Sequence, residues 1–232
     1  MEAYVNTEYR NSNDLFSYDD LQRLQLLLEI KPYVLTRSQY LYNIFLKRLL
    51  DIIIASLAII LLLPVFIVIS FIIAFESGLP IFFRQQRVGR GGTLFNICKF
   101  RTMFVNAPKN VSTFEMRNSE SYITKVGKVL RRTSLDELPQ LLNVLQGKMS
   151  LIGPRPLIPK EKDMDYLRKY NGIYQLRPGI TGLAQIRGRD LMEIDQKIHL
   201  DCEYLRGLSF KTDLKIFFQT FLVVFRKDDV AF

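Results

Sequence analysis

Residues 52–75 read IIIASLAIILLLPVFIVISFIIAF and contain no charged side chain. A straight α-helix of this length would be about 36 Å long, which is enough to cross the hydrocarbon core of a bilayer. Pro64 lies in the middle of the run, where it removes one backbone hydrogen bond and its ring clashes with the preceding turn. The stretch therefore predicts a membrane helix with a bend at Pro64.

The residues that flank this run are basic on both sides. They are Lys47 and Arg48 before it, and Arg84, Arg87 and Arg90 after it. Because cytoplasmic loops carry the excess of Lys and Arg, both ends of the helix are expected on the cytoplasmic side. A re-entrant helix, which enters and leaves the membrane by the same face, satisfies this pattern. A kinked helix that crosses the membrane is the alternative that stays open, and the run starts too late to be a signal peptide.

Composition limits the possible functions. The chain has 232 residues, of which 48% are hydrophobic, and a formal charge of +9. This length suits one domain with a small appendage, and the hydrophobicity argues against a disordered chain. A basic surface attracts phosphate groups in nucleic acid, anionic lipid or nucleotide alike. The chain has two cysteines, Cys98 and Cys202, and a single histidine, His199, and none of them has a partner at metal-ligand spacing. This disfavours zinc chemistry and a Ser-His-Asp triad. Two unpaired thiols fit a cytoplasmic domain.

The chain divides into three segments around the membrane run. Residues 1–46 are an N-terminal extension in which residues 19–30 have helical periodicity, but no chemistry is recognisable there. Residues 47–76 are the predicted membrane helix. Residues 77–232 are the predicted cytoplasmic domain.

The cytoplasmic segment predicts an α+β fold that is mainly helical. Two apolar-rich runs are separated by Arg90-Gly91-Gly92, a signal for a β-hairpin because glycine supplies the positive φ of a tight turn. Helical patterns follow at 121–132, 133–150 with Gly147 as a stop, 160–176, 194–208 and 211–227. The stretches 105–122, 150–159 and 177–189 are expected to be loops. The last helix has an apolar block closed by Arg226 and Lys227, which suits a helix packed on the catalytic body or lying in the membrane interface, and its basic ends favour the interface or a contact with the membrane segment.

Two adjacent acids stand out in residues 133–142, TSLDELPQLL. Ser134 and Glu137 have the spacing of a capping box, in which each side chain bonds the backbone of the other residue. Asp136 would then suit the positive end of a helix, and this purely structural interpretation explains the stretch well. However, Arg131 and Arg132 directly precede the acids, and this arrangement also resembles a phosphate site beside a carboxylate.

Two loops hold arginines next to proline. Arg155 lies in Gly153-Pro154-Arg155-Pro156, and Arg177 lies in Arg177-Pro178-Gly179. A rigid guanidinium group suits bidentate recognition of phosphate, although turns with surface arginines are the simpler alternative. Lys99 and Arg101 alternate along the second hairpin strand and add two cations to one face.

Four stretches together resemble the bacterial sugar transferases, the monotopic polyprenyl-phosphate phosphoglycosyl transferases. They cover roughly residues 47–227 in order, and they are KRLLDIIIASLAIILLLP, FRQQRVGRGGTLFNICKFRTM, VGKVLRRTSLDELPQLLNVLQGKMSLIGPRP and RPGITGLAQIRGR. The resemblance implies a two-step reaction with Mg²⁺ and a UDP-sugar. Asp136 would attack the β-phosphate, release UMP and carry the sugar phosphate covalently until polyprenyl phosphate (undecaprenyl phosphate in most bacteria) accepts it. Glu137 would help to bind Mg²⁺ or assist as a base.

The resemblance also implies further site residues. The family's phosphate and nucleotide contacts map onto Lys99, Arg101, Arg132, Arg155 and Arg177, and Arg131 joins them as a candidate because it lies next to the acidic pair. Leu63-Pro64 would mark the break of a re-entrant helix, although a leucine here makes a hydroxyl-assisted break doubtful. The enzyme is then expected at the bacterial inner membrane, with its catalytic domain on the cytoplasmic face.

The expected partners are a UDP-sugar, polyprenyl phosphate and membrane lipid, and a homodimer is compatible with a membrane enzyme of this size. No nucleic acid partner is expected because no helix-turn-helix, RNP or zinc signature is present. The alternative from another class is a membrane-anchored basic protein that binds anionic lipid or nucleic acid without catalysis. The sequence does not identify the sugar, nor does it choose among exopolysaccharide, capsule, O-antigen and glycoprotein synthesis.

Overall fold

A computed structural model describes residues 31–107, 119–188 and 192–225. The helix expected at 19–30, most of the loop expected at 105–122, and the basic residues Arg189, Arg226 and Lys227 lie outside the described residues.

The membrane segment is helical over its whole length. Helix α1 (Arg37–Leu41) continues through a π-helical turn (Tyr42–Leu46) into α2 (Lys47–Ser77). Within the described ranges, this 41-residue stretch is the one helix long and apolar enough to cross a membrane, judged by length and composition only. Leu63 and Pro64 lie inside α2, and the helix is continuous through them, so the re-entrant bend stays a prediction.

Helix α2 packs on the domain at two places. Near its start, Ala55 is fully buried in a cluster with Phe95, Ile97 and Leu141, joined by the partly buried Ala58 and Ile59. Near its end, Ile69 and Ile73 are buried against Phe100 and Leu130, joined by Val65 and Phe66. Between the two clusters, Ile60 is 69% exposed and Leu61 is 75% exposed. Helix α2 therefore presents exposed apolar side chains between its two contacts with the domain.

The predicted β-hairpin is confirmed. Strands β1 (Phe82–Val88) and β2 (Leu94–Phe100) pair antiparallel, with Phe82 opposite Phe100 and Val88 opposite Leu94. The turn between them has two glycines at positive φ, Gly91 at 67° and Gly92 at 74°, as the sequence required. Alternation along β2 buries Phe95 and Ile97 on the face that meets α2.

The remaining elements are mostly helices, which confirms a mainly helical fold with a small antiparallel sheet. In chain order they are α3 (Ser119–Tyr122), α4 (Lys125–Arg132), a 3₁₀ turn (Leu135–Glu137), α5 (Gln140–Leu145), β3 (Ser150–Ile152), α6 (Lys162–Tyr170), a 3₁₀ turn (Ile173–Gln175), β4 (Gly179–Thr181), α7 (Leu183–Arg187), α8 (Ile194–Arg206) and α9 (Phe210–Phe225). The largest core lies among α6, α8 and α9, where residues such as Leu167, Leu205 and Ile216 are buried. Helix α5 ends shortly before Gly147, whose φ of 76° confirms it as the stop.

All three stretches expected to be loops contain regular structure: α3 lies at the end of 105–122, and β3, β4 and α7 lie in the other two. Strand β3 pairs parallel with β4, with Ser150 opposite Gly179, and α7 follows β4 directly. A Cβ atom at Gly153 would lie 2.5 Å from the carbonyl oxygen of Arg177, so only glycine allows the two loops this close. The sequence did not reveal this pairing because each strand has three residues and its partner lies across α6.

Candidate active site

The acidic pair lies on a strained turn between α4 and α5. Ser134 has φ 56°, in the left-handed region, and it is the one non-glycine residue with positive φ in the described ranges. Its side chain makes no capping bond, and instead its carbonyl oxygen accepts the Glu137 N–H at 3.2 Å. The predicted capping box is therefore wrong, because a capping residue needs extended backbone and Ser134 is left-handed.

This turn places the Asp136 carboxyl inside the protein, with 8% of the residue exposed. Burial raises the pKa of Asp136 from 3.8 to about 6, and the neighbouring charge of Glu137 adds to the rise. The cations Lys99 and Arg131 act in the opposite direction without cancelling it. Asp136 is thus a largely buried carboxylate that gains or loses its proton near neutral pH.

Glu137 has a different environment from its neighbour. Lys99 donates to its Oε1 across 2.6 Å, and Gln140 forms a second hydrogen bond with it. Burial alone would raise the pKa of Glu137, but Lys99 and Arg155 together hold it below its ordinary value. The two adjacent carboxyls therefore have opposite shifts, which is the pattern of a site where two acids have two roles. Sequence reasoning missed Gln140, which lies one helical turn after Asp136.

The cations that precede the acids differ from each other. Arg131 is half-buried, donates from Nε to the Thr102 hydroxyl at 2.9 Å, and lies near the charge of Asp136. Arg132 is exposed, and its side chain makes no hydrogen bond to the parts of the chain that the structure describes. The structure thus brings Arg131, rather than Arg132, to the acidic pair.

The loop of Arg155 is held next to Glu137 by residues that the sequence did not single out. Arg168 donates to the carbonyl oxygen of Arg155 at 2.6 Å and forms an ion pair with Asp201 at 2.6 Å, with both side chains 4% exposed. Arg87 donates to the carbonyl oxygen of Pro156 at 3.2 Å. Burial, together with the charge of Arg155, lowers the pKa of Arg87 to about 10. Its place in the motif FRQQRVG was the signal that could have identified Arg87.

Two predicted phosphate contacts make their hydrogen bonds elsewhere. Arg101 is buried, and its Nη2 donates to the carbonyl oxygens of Ser77 and Gly78 at 2.8 and 2.5 Å, so it holds the end of α2. Arg177 donates from Nε to the carbonyl oxygen of Gly147 at 3.1 Å, beyond the opposite end of α5 from Asp136. Neither arginine hydrogen-bonds the acidic pair within the described ranges.

The start of α2 is held by a buried polar network. Lys47 and the hydroxyls of Tyr42 and Tyr204 all contact the carboxylate of Asp213, at 2.5, 2.6 and 2.7 Å. One turn further, Asp51 accepts from the Ser150 hydroxyl and the Leu151 N–H at 3.1 and 3.0 Å, which joins α2 to β3. At the other end of α2, Glu76 accepts the N–H of Val126 at the start of α4. Both ends of the membrane helix are therefore attached to the same domain.

Residues 42–227 match the family model described as bacterial sugar transferase. The chain belongs to the bacterial sugar transferase family. It is 40% identical over 202 residues to an uncharacterised sugar transferase of Haemophilus influenzae, covering 79% of this chain and 41% of the relative. It is 42% identical over 185 residues to the UDP-glucose:undecaprenyl-phosphate glucose-1-phosphate transferase of Klebsiella pneumoniae, covering 77% of this chain and 40% of the relative.

A shorter relative covers more of its own length. The exopolysaccharide production protein ExoY of Sinorhizobium fredii is 38% identical over 188 residues, covering 75% of this chain and 83% of the relative. This sugar transferase chain thus spans about two fifths of the longer relatives and most of the shorter one. The family match includes the acidic turn, the Arg155 loop and the membrane helix.

Proposed function

We propose that this chain is a membrane phosphoglycosyl transferase that moves a sugar 1-phosphate from a UDP-sugar to polyprenyl phosphate. The observation that carries the proposal is the buried Asp136 carboxyl, which lies near Lys99 and Arg131 but has no ion pair within 4.0 Å in the described ranges. A carboxylate in this state is available as a nucleophile, whereas Glu137 beside it is engaged by Lys99. The name of the Klebsiella pneumoniae relative, a transferase of glucose 1-phosphate from UDP-glucose to undecaprenyl phosphate, supports the same substrate classes.

The reaction proceeds in two displacements at one phosphorus atom. A carboxylate oxygen of Asp136 attacks the β-phosphorus of the UDP-sugar, the bond to the bridging oxygen breaks, and UMP leaves with that electron pair. The product is a mixed anhydride of Asp136 and the sugar phosphate. An oxygen of polyprenyl phosphate then attacks the same phosphorus, the carboxylate leaves, and a polyprenyl-diphosphate sugar results. Asp136 must be ionised to begin, which its pKa of about 6 allows at neutral pH.

The surrounding residues stabilise charge on the transferred phosphoryl group. Lys99, Arg131 and Arg155 place positive charge around the two acids, and such fixed cations stabilise the charge that gathers on phosphoryl oxygens. The Arg168–Asp201 pair keeps the Arg155 backbone in place, so Arg155 acts from a fixed loop. Glu137 stays ionised and is available as a base or as a ligand.

The acidic pair fits Mg²⁺ as an expected cofactor. Mg²⁺ is usually held by one or two carboxylates, with waters and substrate phosphates completing its coordination. Asp136 and Glu137 supply two adjacent carboxylates, and no group of three or more acidic, His or Cys side chains suited to a metal occurs in the described ranges. Bound there, Mg²⁺ would neutralise phosphate charge as a Lewis acid.

We also propose that α2 is re-entrant, that the domain lies on the cytoplasmic face of the inner membrane, and that α9 lies in the interface. Support comes from the attachments at both ends of α2, through Asp213 and Val126, to the same domain. Exposed Phe218, Phe221 and Leu222 give α9 an apolar surface for the membrane. Cysteine labels at positions 45 and 85 should both react from the cytoplasmic side only, and labelling from opposite sides would show a crossing helix.

The decisive experiment measures UMP release from a panel of UDP-sugars by the purified protein with Mg²⁺ and polyprenyl phosphate. At least one sugar should give UMP, and leaving out polyprenyl phosphate should trap a sugar phosphate on Asp136 that mass spectrometry detects. Asp136→Asn should lose both the adduct and turnover, by a factor of about 10³ or more. Asp163→Asn, which removes an exposed carboxylate on α6, is the matched control and should retain activity.

Two outcomes would contradict the proposal. An adduct that survives in Asp136→Asn would exclude Asp136 as the nucleophile. A folded preparation that binds lipid vesicles but releases no UMP from any sugar would favour the non-catalytic lipid-binding alternative. The active sugar would also identify the donor substrate, and the name of the ExoY relative supports exopolysaccharide synthesis as the pathway.

A further inference from the structure

Three arginines converge beyond the end of α5 that is opposite to Asp136. Arg48 donates to the carbonyl oxygens of Val144 and Leu145 at 2.6 and 3.0 Å. Arg177 donates to the carbonyl oxygen of Gly147, and a Cβ on Gly147 would lie 3.5 Å from Nη2 of Arg48, so both guanidinium groups lie beside this glycine. The turn that begins with Arg90 packs against the 3₁₀ turn Ile173–Gln175, just before Arg177.

Positive charge exceeds negative charge at this place. The acidic side chain whose charge acts on Arg177 is Asp51. Asp213 is engaged by Lys47 and two tyrosines, and Asp51 accepts two hydrogen bonds from β3. The three arginines thus face one carboxylate. Burial, followed by the charges of Arg90 and Arg48, lowers the pKa of Arg177, as expected for cations that lack enough anions.

In the proposed membrane arrangement, the arginine cluster lies at the polar start of α2. Arg48 is the second residue of α2, and the exposed apolar residues Leu49, Ile52 and Ile53 follow it directly. Arginines in this position hold their charge at the level of lipid headgroups while their stems cover apolar surface. Lipid phosphates are the anions that are concentrated at this depth.

We infer that Arg48, Arg90 and Arg177 form a binding site for the phosphate group of a membrane lipid, separate from the acidic pair. Helix α5 separates the arginines from the acidic pair, and its six residues correspond to a length of about 9 Å. A phosphate held at Gly147 is therefore out of reach of Asp136 and is not the reacting phosphate. Hydrogen bonds to carbonyl oxygens fix the side chains of Arg48 and Arg177. The side chain of Arg90 has no hydrogen bond in the described ranges, so it can bind an anion placed between the three arginines.

The test measures lipid retained by the intact protein after release from nanodiscs, by native mass spectrometry. The discs contain phosphatidylcholine alone, phosphatidylcholine with phosphatidylglycerol, or phosphatidylcholine with polyprenyl phosphate. The wild type should retain an anionic lipid, and Arg90→Gln should weaken its retention about tenfold, the loss of one charge-assisted hydrogen bond. Arg90→Lys should keep most of it. Arg37→Gln, which removes an exposed arginine from α1 close to the membrane segment, should change it little.

The comparison of discs identifies the source of the phosphate. Retention of phosphatidylglycerol assigns the site to a bulk anionic phospholipid, and selective retention of polyprenyl phosphate assigns it to the acceptor lipid before or after reaction. Equal losses of lipid retention in Arg90→Gln and Arg37→Gln would overturn the inference, because retention would then depend on the overall positive charge of the protein and not on a specific site. Stabilisation by inorganic phosphate or UMP without lipid retention would overturn it as well. UMP release, measured separately, reports on the proposed catalysis independently of this result.

Discussion

The two ends of the short helix α5 carry opposite chemistry. Before its start, Asp136 is buried and its pKa is raised to about 6, while Lys99 engages only Glu137. Beyond its end, Arg48 and Arg177 bind carbonyl oxygens and hold the membrane helix and the Arg177 loop together. At the first end, the burial of the Asp136 carboxylate destabilises the folded protein but leaves this group available for the reaction. At the second end, arginines that contact the carbonyl groups of a helix C-terminus stabilise the folded protein. Substitutions at the two ends should therefore have opposite effects on stability.

The largest stability effect is expected at the first end. Well below pH 3.8 the Asp136 carboxyl is protonated in both folded and unfolded chains, so burying it carries no charge penalty. Above pH 6 the folded protein must hold it ionised, and a rise of the pKa from 3.8 to about 6 corresponds to about 3 kcal/mol. Asp136→Asn should therefore be more stable than the wild type at pH 8, and this advantage should shrink to about 0.5 kcal/mol at pH 4. Denaturant titration in detergent micelles at both values measures it.

Asp163→Asn again serves as the control for that titration, because an exposed carboxylate should contribute little at either pH. An Asp136→Asn advantage that is equal at pH 4 and pH 8 would contradict the buried-charge explanation.

The second end should respond in the opposite direction. Arg48→Gln removes two hydrogen bonds to the carbonyl oxygens of Val144 and Leu145, and should lower the free energy of unfolding by about 1–3 kcal/mol. Thermal unfolding of the protein in nanodiscs measures the change. Arg37→Gln should stay within about 0.5 kcal/mol of the wild type. A gain in stability for Arg48→Gln would mean that the arginines at this end repel each other more than they hold the helix.

The dependence of kcat/KM on pH tests whether the reaction needs the ionised Asp136 carboxylate. Catalysis that needs an ionised Asp136 should fall about tenfold per pH unit below pH 6. Lys99→Met removes a cation that lowers the pKa of both Asp136 and Glu137, so the acid limb of kcat/KM should move to higher pH. Lys128→Met, which removes an exposed lysine on α4, should leave the limb in place. If the acid limb of kcat/KM lies at the same pH in Lys99→Met as in the wild type, the limb belongs to a group other than Asp136.

The smallest expected effect is a change in stability at Ser134, which tests whether this residue is a left-handed turn residue or part of a capping box. A capping box predicts that Ser134→Ala loses about 1 kcal/mol. The left-handed backbone of Ser134 instead predicts that Ser134→Ala changes stability little and that Ser134→Gly gains up to about 1 kcal/mol. Chemical denaturation of the three proteins side by side distinguishes these outcomes. A loss in both variants would restore a role for the hydroxyl.

Local sequence patterns predicted the elements that depend on near neighbours. The Arg90-Gly91-Gly92 turn gave the hairpin, Gly147 gave the stop of α5, and the continuous apolar run gave the membrane helix. The adjacent acids Asp136 and Glu137 stand out locally, but their catalytic role and the assignment of the cations Lys99 and Arg155 to the site came from the family resemblance. The hairpin, the helix stop and the long apolar helix were predictable because each depends on a backbone requirement or an apolar run of neighbouring residues, whereas the roles of the site residues stay predictions.

Contacts between distant residues were not predictable from spacing. The β3–β4 pair joins strands across α6, and the Arg168–Asp201 pair supports the Arg155 loop from two other helices. Arg101 and Arg177 look like Lys99 and Arg155 in sequence, yet they hold the end of α2 and the loop at Gly147. Which oxygen a long arginine side chain reaches depends on the packing of whole elements.

The sequence by itself determined that a long apolar helix precedes a basic domain with an acidic pair, because composition and periodicity are properties of neighbouring residues. Only the tertiary structure decided that Asp136 is buried while Glu137 is paired, and that Ser134 is left-handed rather than a cap. It also decided that both ends of α2 are attached to one domain. The physical reason is that burial and pairing join residues far apart in the chain, such as Lys47 and Asp213, which are separated by 166 positions and meet only after the helices pack.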